Sequence, residues 1–306
     1  MKIPKSAYFI IAVLAGACWG THGTFASLLG QYGVSDDVVS FLCPLFYGSF
    51  FLFLVLKNDP SALKVSKKFI PLLFLYGIES AVYNYAIIKA YWHMPVGIVH
   101  TIVFCNLFLL MIFSRVIFKT PLTWQKAGFS ALAVLGIAML LNVFDADVSW
   151  SALGIICTLI SMVAWAMLVT TEKYLLEQGL DGNALLVFSG YFAALVLIFF
   201  ANPVSVVQEI AHSVVVSNGI SLLPLLGYAF ITSVGSYYFY LVALRRMEPT
   251  LVQLAYVADP LVATLLGVVI FGQILVPIQT AGLFLILAVV VAVQLLELRS
   301  EKKANS

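Results

Sequence analysis

The chain has 306 residues; 62% are hydrophobic, 10% are charged, and the mean hydropathy is +1.06. Soluble domains are about 45–50% apolar and about 25% charged, so this composition excludes a soluble enzyme, a disordered chain and a nucleic-acid binder with a basic patch. A net charge of +2 calls for no polyanionic partner.

A bilayer core of about 30 Å takes roughly 20 apolar residues per helix. Breaking the apolar runs at charges, Pro and Gly predicts ten spans: 7–29, 38–56, 69–89, 96–118, 125–144, 151–172, 183–201, 221–244, 250–271 and 279–297. The first follows Lys2 and Lys5 but runs to Leu29, too long for the apolar region of a signal peptide. The longest connection, Val204 to Gly219, has room for a short interfacial helix. Cys18, Cys43, Cys105 and Cys157 are scattered through apolar runs with neither zinc spacing nor a disulfide framework.

The basic residues fall on one side of this layout. Lys57, Lys64, Lys67 and Lys68 lie between spans two and three. Arg115, Lys119 and Lys126 lie around the junction of four and five, Lys173 after six, and Arg245 and Arg246 between eight and nine. With Lys2, Lys5, Arg299, Lys302 and Lys303, fifteen of the 16 cations share that side, and only Lys89 falls opposite. Asp36, Asp37, Asp145, Asp147 and Glu209 occupy the other loops. The positive-inside rule therefore predicts that both termini are cytoplasmic in a multi-pass protein of the plasma (cell inner) membrane.

Two halves of five spans, 1–147 and 148–306, repeat weakly. Trp19 pairs with Trp165 and Gly33 with Gly179 at an offset of 146. Gln125 pairs with Gln279 and Gly128 with Gly282 at 154. An odd number of spans per half makes the second half enter from the opposite side. The expected fold is thus an all-α membrane protein of ten transmembrane helices in two inverted five-helix repeats. Secondary transporters are built this way.

Ala17-Cys18-Trp19-Gly20, Ala164-Trp165, the connections ending in Pro95 and Pro249, Asp259-Pro260, Gly272-Gln273 and Gln279-Thr280-Ala281-Gly282 together resemble the drug/metabolite transporter superfamily, specifically its EamA-type members. The chain departs from that pattern at Lys119-Thr120, at Gln273, at Asp259 and at Asn106. The resemblance implies a secondary transporter rather than an enzyme.

Ionisable residues at membrane depth cost about 2.5–3.5 kcal/mol each, so Glu79 and Asp259 should face a cavity or a partner. His22 shares a helix face with Trp19, Tyr83 with Glu79, and Tyr256 with Asp259. Tyr237 is the repeat partner of Tyr83, and Tyr240 lies a turn beyond it. Carboxylates ringed by Trp19, Trp165, Tyr83, Tyr237, Tyr240 and Tyr256 suit an organic cation, because ring quadrupoles attract an ammonium. The expected substrate is a small organic cation or quaternary amine resembling choline. A neutral or aromatic amino acid remains open, as does, in other classes, an intramembrane enzyme or a non-transporting receptor. Glu79 is the expected carrier of any coupled proton. No cofactor or metal is expected, and the expected partners are a small molecule and the lipid bilayer, with the chain a monomer or weak homodimer.

Overall fold

The computed structural model describes residues 5–94, 96–145, 151–272 and 274–305. Lys2, Pro95, Asp147 and Gln273, used in the sequence reading, lie outside the described residues. No strand occurs among the described residues. Nine helical stretches there are long and apolar enough to cross a membrane. The stretch read as span five is a 17-residue helix, Trp124–Leu140, about 26 Å long at 1.5 Å per residue.

Four expected spans are interrupted rather than continuous. Span one divides into α1 (Lys5–Trp19) and α2 (His22–Gly30). At the break the Thr21 hydroxyl donates to the Cys18 carbonyl at 2.6 Å, taking an acceptor that the next helical turn would have used. Span two is α3 (Asp36–Asn58) and span three is α4 (Ile70–His93). Span four divides into α5 (Val96–Phe104) and α6 (Asn106–Ile117). There the Asn106 side chain donates to the Val103 carbonyl at 2.7 Å. The amide of Asn106 thus competes for a helix carbonyl at the break.

After α7 (Trp124–Leu140), span six is α8 (Ala152–Glu177), longer than expected because Glu172 and Lys173 continue the helix, buried, rather than ending it. Span seven is α9 (Gly182–Ala201), and the long connection holds α10 (Pro203–Val216), as its length allowed. Span eight is α11 (Leu222–Gly227), a π-helical segment (Tyr228–Gly235) and α12 (Ser236–Leu244). Span nine divides into α13 (Pro249–Ala255) and α14 (Ala258–Phe271). Pro260 has no N–H to offer the Tyr256 carbonyl, which accepts from the Asp259 N–H at 2.9 Å instead. Pro260 then sits in the first turn of α14, where a missing donor costs little. Span ten is α15 (Pro277–Asn305).

The main packings are reciprocal between the halves. α1 lies along α12 and α4 along α8, α3 along α9, and α7 along α15. Counted by span within each half, these are first with third, third with first, second with second and fifth with fifth. The ends of the first and sixth spans also match. Gly33 and Gly179 both adopt positive φ, 84° and 85°. In each case the following N–H closes a Schellman turn, Val34 to Leu29 at 3.3 Å and Leu180 to Leu175 at 3.2 Å. Where α3 meets α9 the backbones touch: a Cβ on Gly190 would lie 2.7 Å from the Gly48 Cα.

Candidate functional site

A cavity of about 810 Å³ enters the bundle beside Gly30 and Asp37, where α2 meets α3, and descends to an aromatic floor. Its walls include Trp19, Tyr47, Tyr83, Phe104, Trp165, Tyr237 and Tyr256. Trp19 is the hub. Its ring meets Trp165 edge to face at 5.9 Å, Tyr256 at 5.1 Å and Tyr237 at 4.6 Å between centroids. Tyr83 lies against Trp165 at 4.9 Å, and Tyr47 stacks on Tyr237 at 3.8 Å.

The helix breaks build this floor. Trp19 ends α1 at the Gly20–Thr21 break, and Tyr256 occupies the turn between α13 and α14. Gly20 lets the two breaks approach, since a Cβ there would fall 2.5 Å from the Asp259 carbonyl oxygen. The Trp165 indole N–H donates to Gln253 Oε1 at 3.2 Å, which fixes that ring's orientation. Gln253 itself is buried. Asp259 lines the cavity, half-buried, and Tyr83 and Tyr256 lie close enough to its carboxyl to interact electrostatically. His22, His100, Asn84 and Asn106 complete the polar wall, with His22 set edge to face on Tyr228 at 5.3 Å. Among the described residues the lining contains two aspartates and no Lys or Arg.

Seven of the nine expected site residues therefore share one cavity: Trp19, His22, Tyr83, Trp165, Tyr237, Tyr256 and Asp259. Tyr240 touches the back of Trp19 at 6.3 Å but does not line the space. Glu79 does not line it either. One turn below Tyr83, it is buried against α8, where its Oε1 accepts from the Thr171 hydroxyl at 3.0 Å. Its Oε2 has no hydrogen-bond partner among the described residues.

The sequence reading missed Tyr47, Gln253 and Asp37. Gln253 carried a usable signal, an amide inside an apolar run one turn before Tyr256. Tyr47 carried none, because its place depends on α3 packing against α12 and the π-helical segment.

At the basic end the helices are tied together. Lys126 at the start of α7 pairs with Glu248 just before α13. Arg245 faces Asp181 at 3.7 Å, and the buried Lys173 ammonium donates to the Leu244 carbonyl at 2.8 Å. Lys173, expected in a loop, is thus inside the bundle, but away from the cavity. Among the described residues no cluster of His, Cys, Asp or Glu could hold a metal ion.

The family model described as the EamA-like transporter family matches residues 6–142 and again 152–294. No curated protein matches the sequence. A crystal structure of a protein aligns with a TM-score of 0.77 at 18% identity, covering 97% of this chain and 99% of its own. At that identity the likeness establishes a shared fold.

Proposed function

This chain belongs to the EamA-like transporter family, and from that premise we propose that it moves a small organic cation, a quaternary amine of choline's class, by alternating access. The observation that carries the reading is the floor of the cavity. Five aromatic rings, Trp19, Trp165, Tyr83, Tyr237 and Tyr256, line the same cavity as the Asp259 carboxyl, with no Lys or Arg in the lining among the described residues. A quaternary ammonium gains about 0.5–2 kcal/mol from each well-placed ring face and needs one negative partner. A phosphorylated substrate would need cationic donors instead.

In this reading ten spans form two inverted five-helix repeats, 1–147 and 148–306. The basic end and both termini face the cytoplasm across the plasma membrane. The cavity mouth at Gly30 and Asp37 is then extracellular, and the chain is in its outward-open state. Asp259 balances the substrate's charge. Glu79, behind Tyr83, carries any coupled proton. Thermal-shift binding across choline, related amines and neutral and aromatic amino acids tests the substrate class. Stabilisation by quaternary amines supports the reading, and stabilisation by amino acids alone replaces it with an amino-acid carrier.

A further inference from the structure

The polar interior continues past the cavity floor. Glu172 lies seven residues, or two turns and about 10 Å, beyond Trp165 on the same face of α8, toward the basic end. It is 1% exposed, and its Oε1 has no hydrogen-bond partner among the described residues. The groups that interact with it come from three other helices. Tyr47 of α3, Tyr76 of α4 and Tyr240 of α12 all lie close enough to its carboxyl to interact with its charge. The Tyr240 hydroxyl is also buried without a partner among the described residues. On α8 itself the preceding Thr171 is turned to Glu79. The following Lys173 is committed to the Leu244 carbonyl and to Glu177 at 3.6 Å. Arg245 adds a favourable field at Glu172, but its guanidinium faces Asp181.

Glu172 is therefore a buried carboxyl with no cation in contact among the described residues. Ionised there, it would be an uncompensated charge costing several kcal/mol. The tyrosines around it bridge to the substrate floor, since Tyr240 touches Trp19 and Tyr47 stacks on Tyr237. Opening of the basic end would let water reach this cluster, and a hydrated carboxylate no longer carries that desolvation cost.

We propose that Glu172 is a second intramembrane proton site, distinct from Glu79, which binds one cytoplasmic proton when the basic end closes and releases it when that end opens. The inference rests on the alternating-access reading above. The step is protonation of the carboxylate alone: closing consumes one proton and opening returns it to the cytoplasmic side. Low cytoplasmic pH thus favours the closed basic end, and rising pH favours its opening.

The test needs no substrate. Met247, buried at 7% beside the basic end, is replaced by Cys after the four native cysteines are removed. Maleimide labelling of the full-length purified protein is followed from pH about 5.5 to about 8.5. Dividing the rate by that of a Glu172→Gln version cancels the thiol's own ionisation. The expected ratio rises about threefold to tenfold per pH unit over part of that range. Glu172→Asp should keep the slope, and Glu79→Gln should keep it too. A flat ratio overturns the proposal, as does a slope that disappears in Glu79→Gln. If Glu172→Gln does not fold, the rate is divided by that of the same thiol in unfolded protein, and a flat quotient overturns the proposal equally. Choline thermal shifts on the same samples report separately on the substrate reading.

Discussion

Trp19 and Trp165, 146 positions apart, meet edge to face with their ring centroids 5.9 Å apart. One ends the interrupted first span, and the other lies midway along the continuous sixth. Their contact joins the two repeats at the floor of the cavity, so that floor exists only when both halves are in place.

Each indole should contribute separately to binding. Trp19→Ala and Trp165→Ala are expected to weaken choline binding several-fold or more, about 0.5–2 kcal/mol for each lost cation–π contact. Trp→Phe at either position should lose less. Titration of the purified variants checks this. Unchanged affinity in both folded Ala variants would make the pair a packing contact only.

Gln253→Leu should act through Trp165. The substitution strands the buried indole N–H, which costs about 1–3 kcal/mol, and frees the ring to turn. Lower thermal stability together with weaker binding is expected. A variant with normal stability and normal affinity would contradict the orienting role of this 3.2 Å bond.

The α3–α9 contact predicts a steric effect remote from the floor. A Cβ at Gly190 meets the Gly48 Cα at 2.7 Å and the Pro44 carbonyl oxygen at 2.7 Å. Gly190→Ala should destabilise the protein by about 1–3 kcal/mol. Gly23, whose added Cβ would meet nothing within 4 Å, should accept Ala without loss. Thermal melting of the two variants side by side tests the difference.

Lys126 and Glu248 tie the basic end across the two halves, each side chain being mostly buried at 18% and 14% exposure. Lys126→Glu should loosen that end and speed labelling of a Met247→Cys thiol. Adding Glu248→Lys should restore the pair and slow labelling again. No recovery in the double variant would mean that the pair does not hold this end shut.

How much of this was legible in the sequence depended on the kind of interaction. Apolar runs located the membrane helices, and the Trp19–Trp165 and Gly33–Gly179 offsets carried the repeat. The breaks were harder to read. Pro260 announced one, but it acts through the carbonyl four residues earlier, so the turn lies at Tyr256 and Val257. The breaks at Thr21 and Asn106 come from side chains competing for backbone carbonyls, which apolar periodicity does not register. The depth of Glu79 was plain, yet its partner, Thr171, lies on another helix, and sharing a face with Tyr83 did not bring it into the cavity. Glu172 was read as the end of a span because charge usually stops one. Here α8 continues through it, packed against α4, α5, α6 and α13.

The central claim is that the aromatic floor and Asp259 recognise positive charge rather than shape. The most direct test compares choline with 3,3-dimethylbutanol, its uncharged carbon isostere, by calorimetric titration of the wild-type protein and of Asp259→Asn. The account predicts that choline binds the wild type, that the isostere binds at least about tenfold more weakly, a difference of about 1.4 kcal/mol, and that Asp259→Asn narrows the gap. Equal affinity for the two ligands, or a gap unchanged by Asp259→Asn, would contradict it.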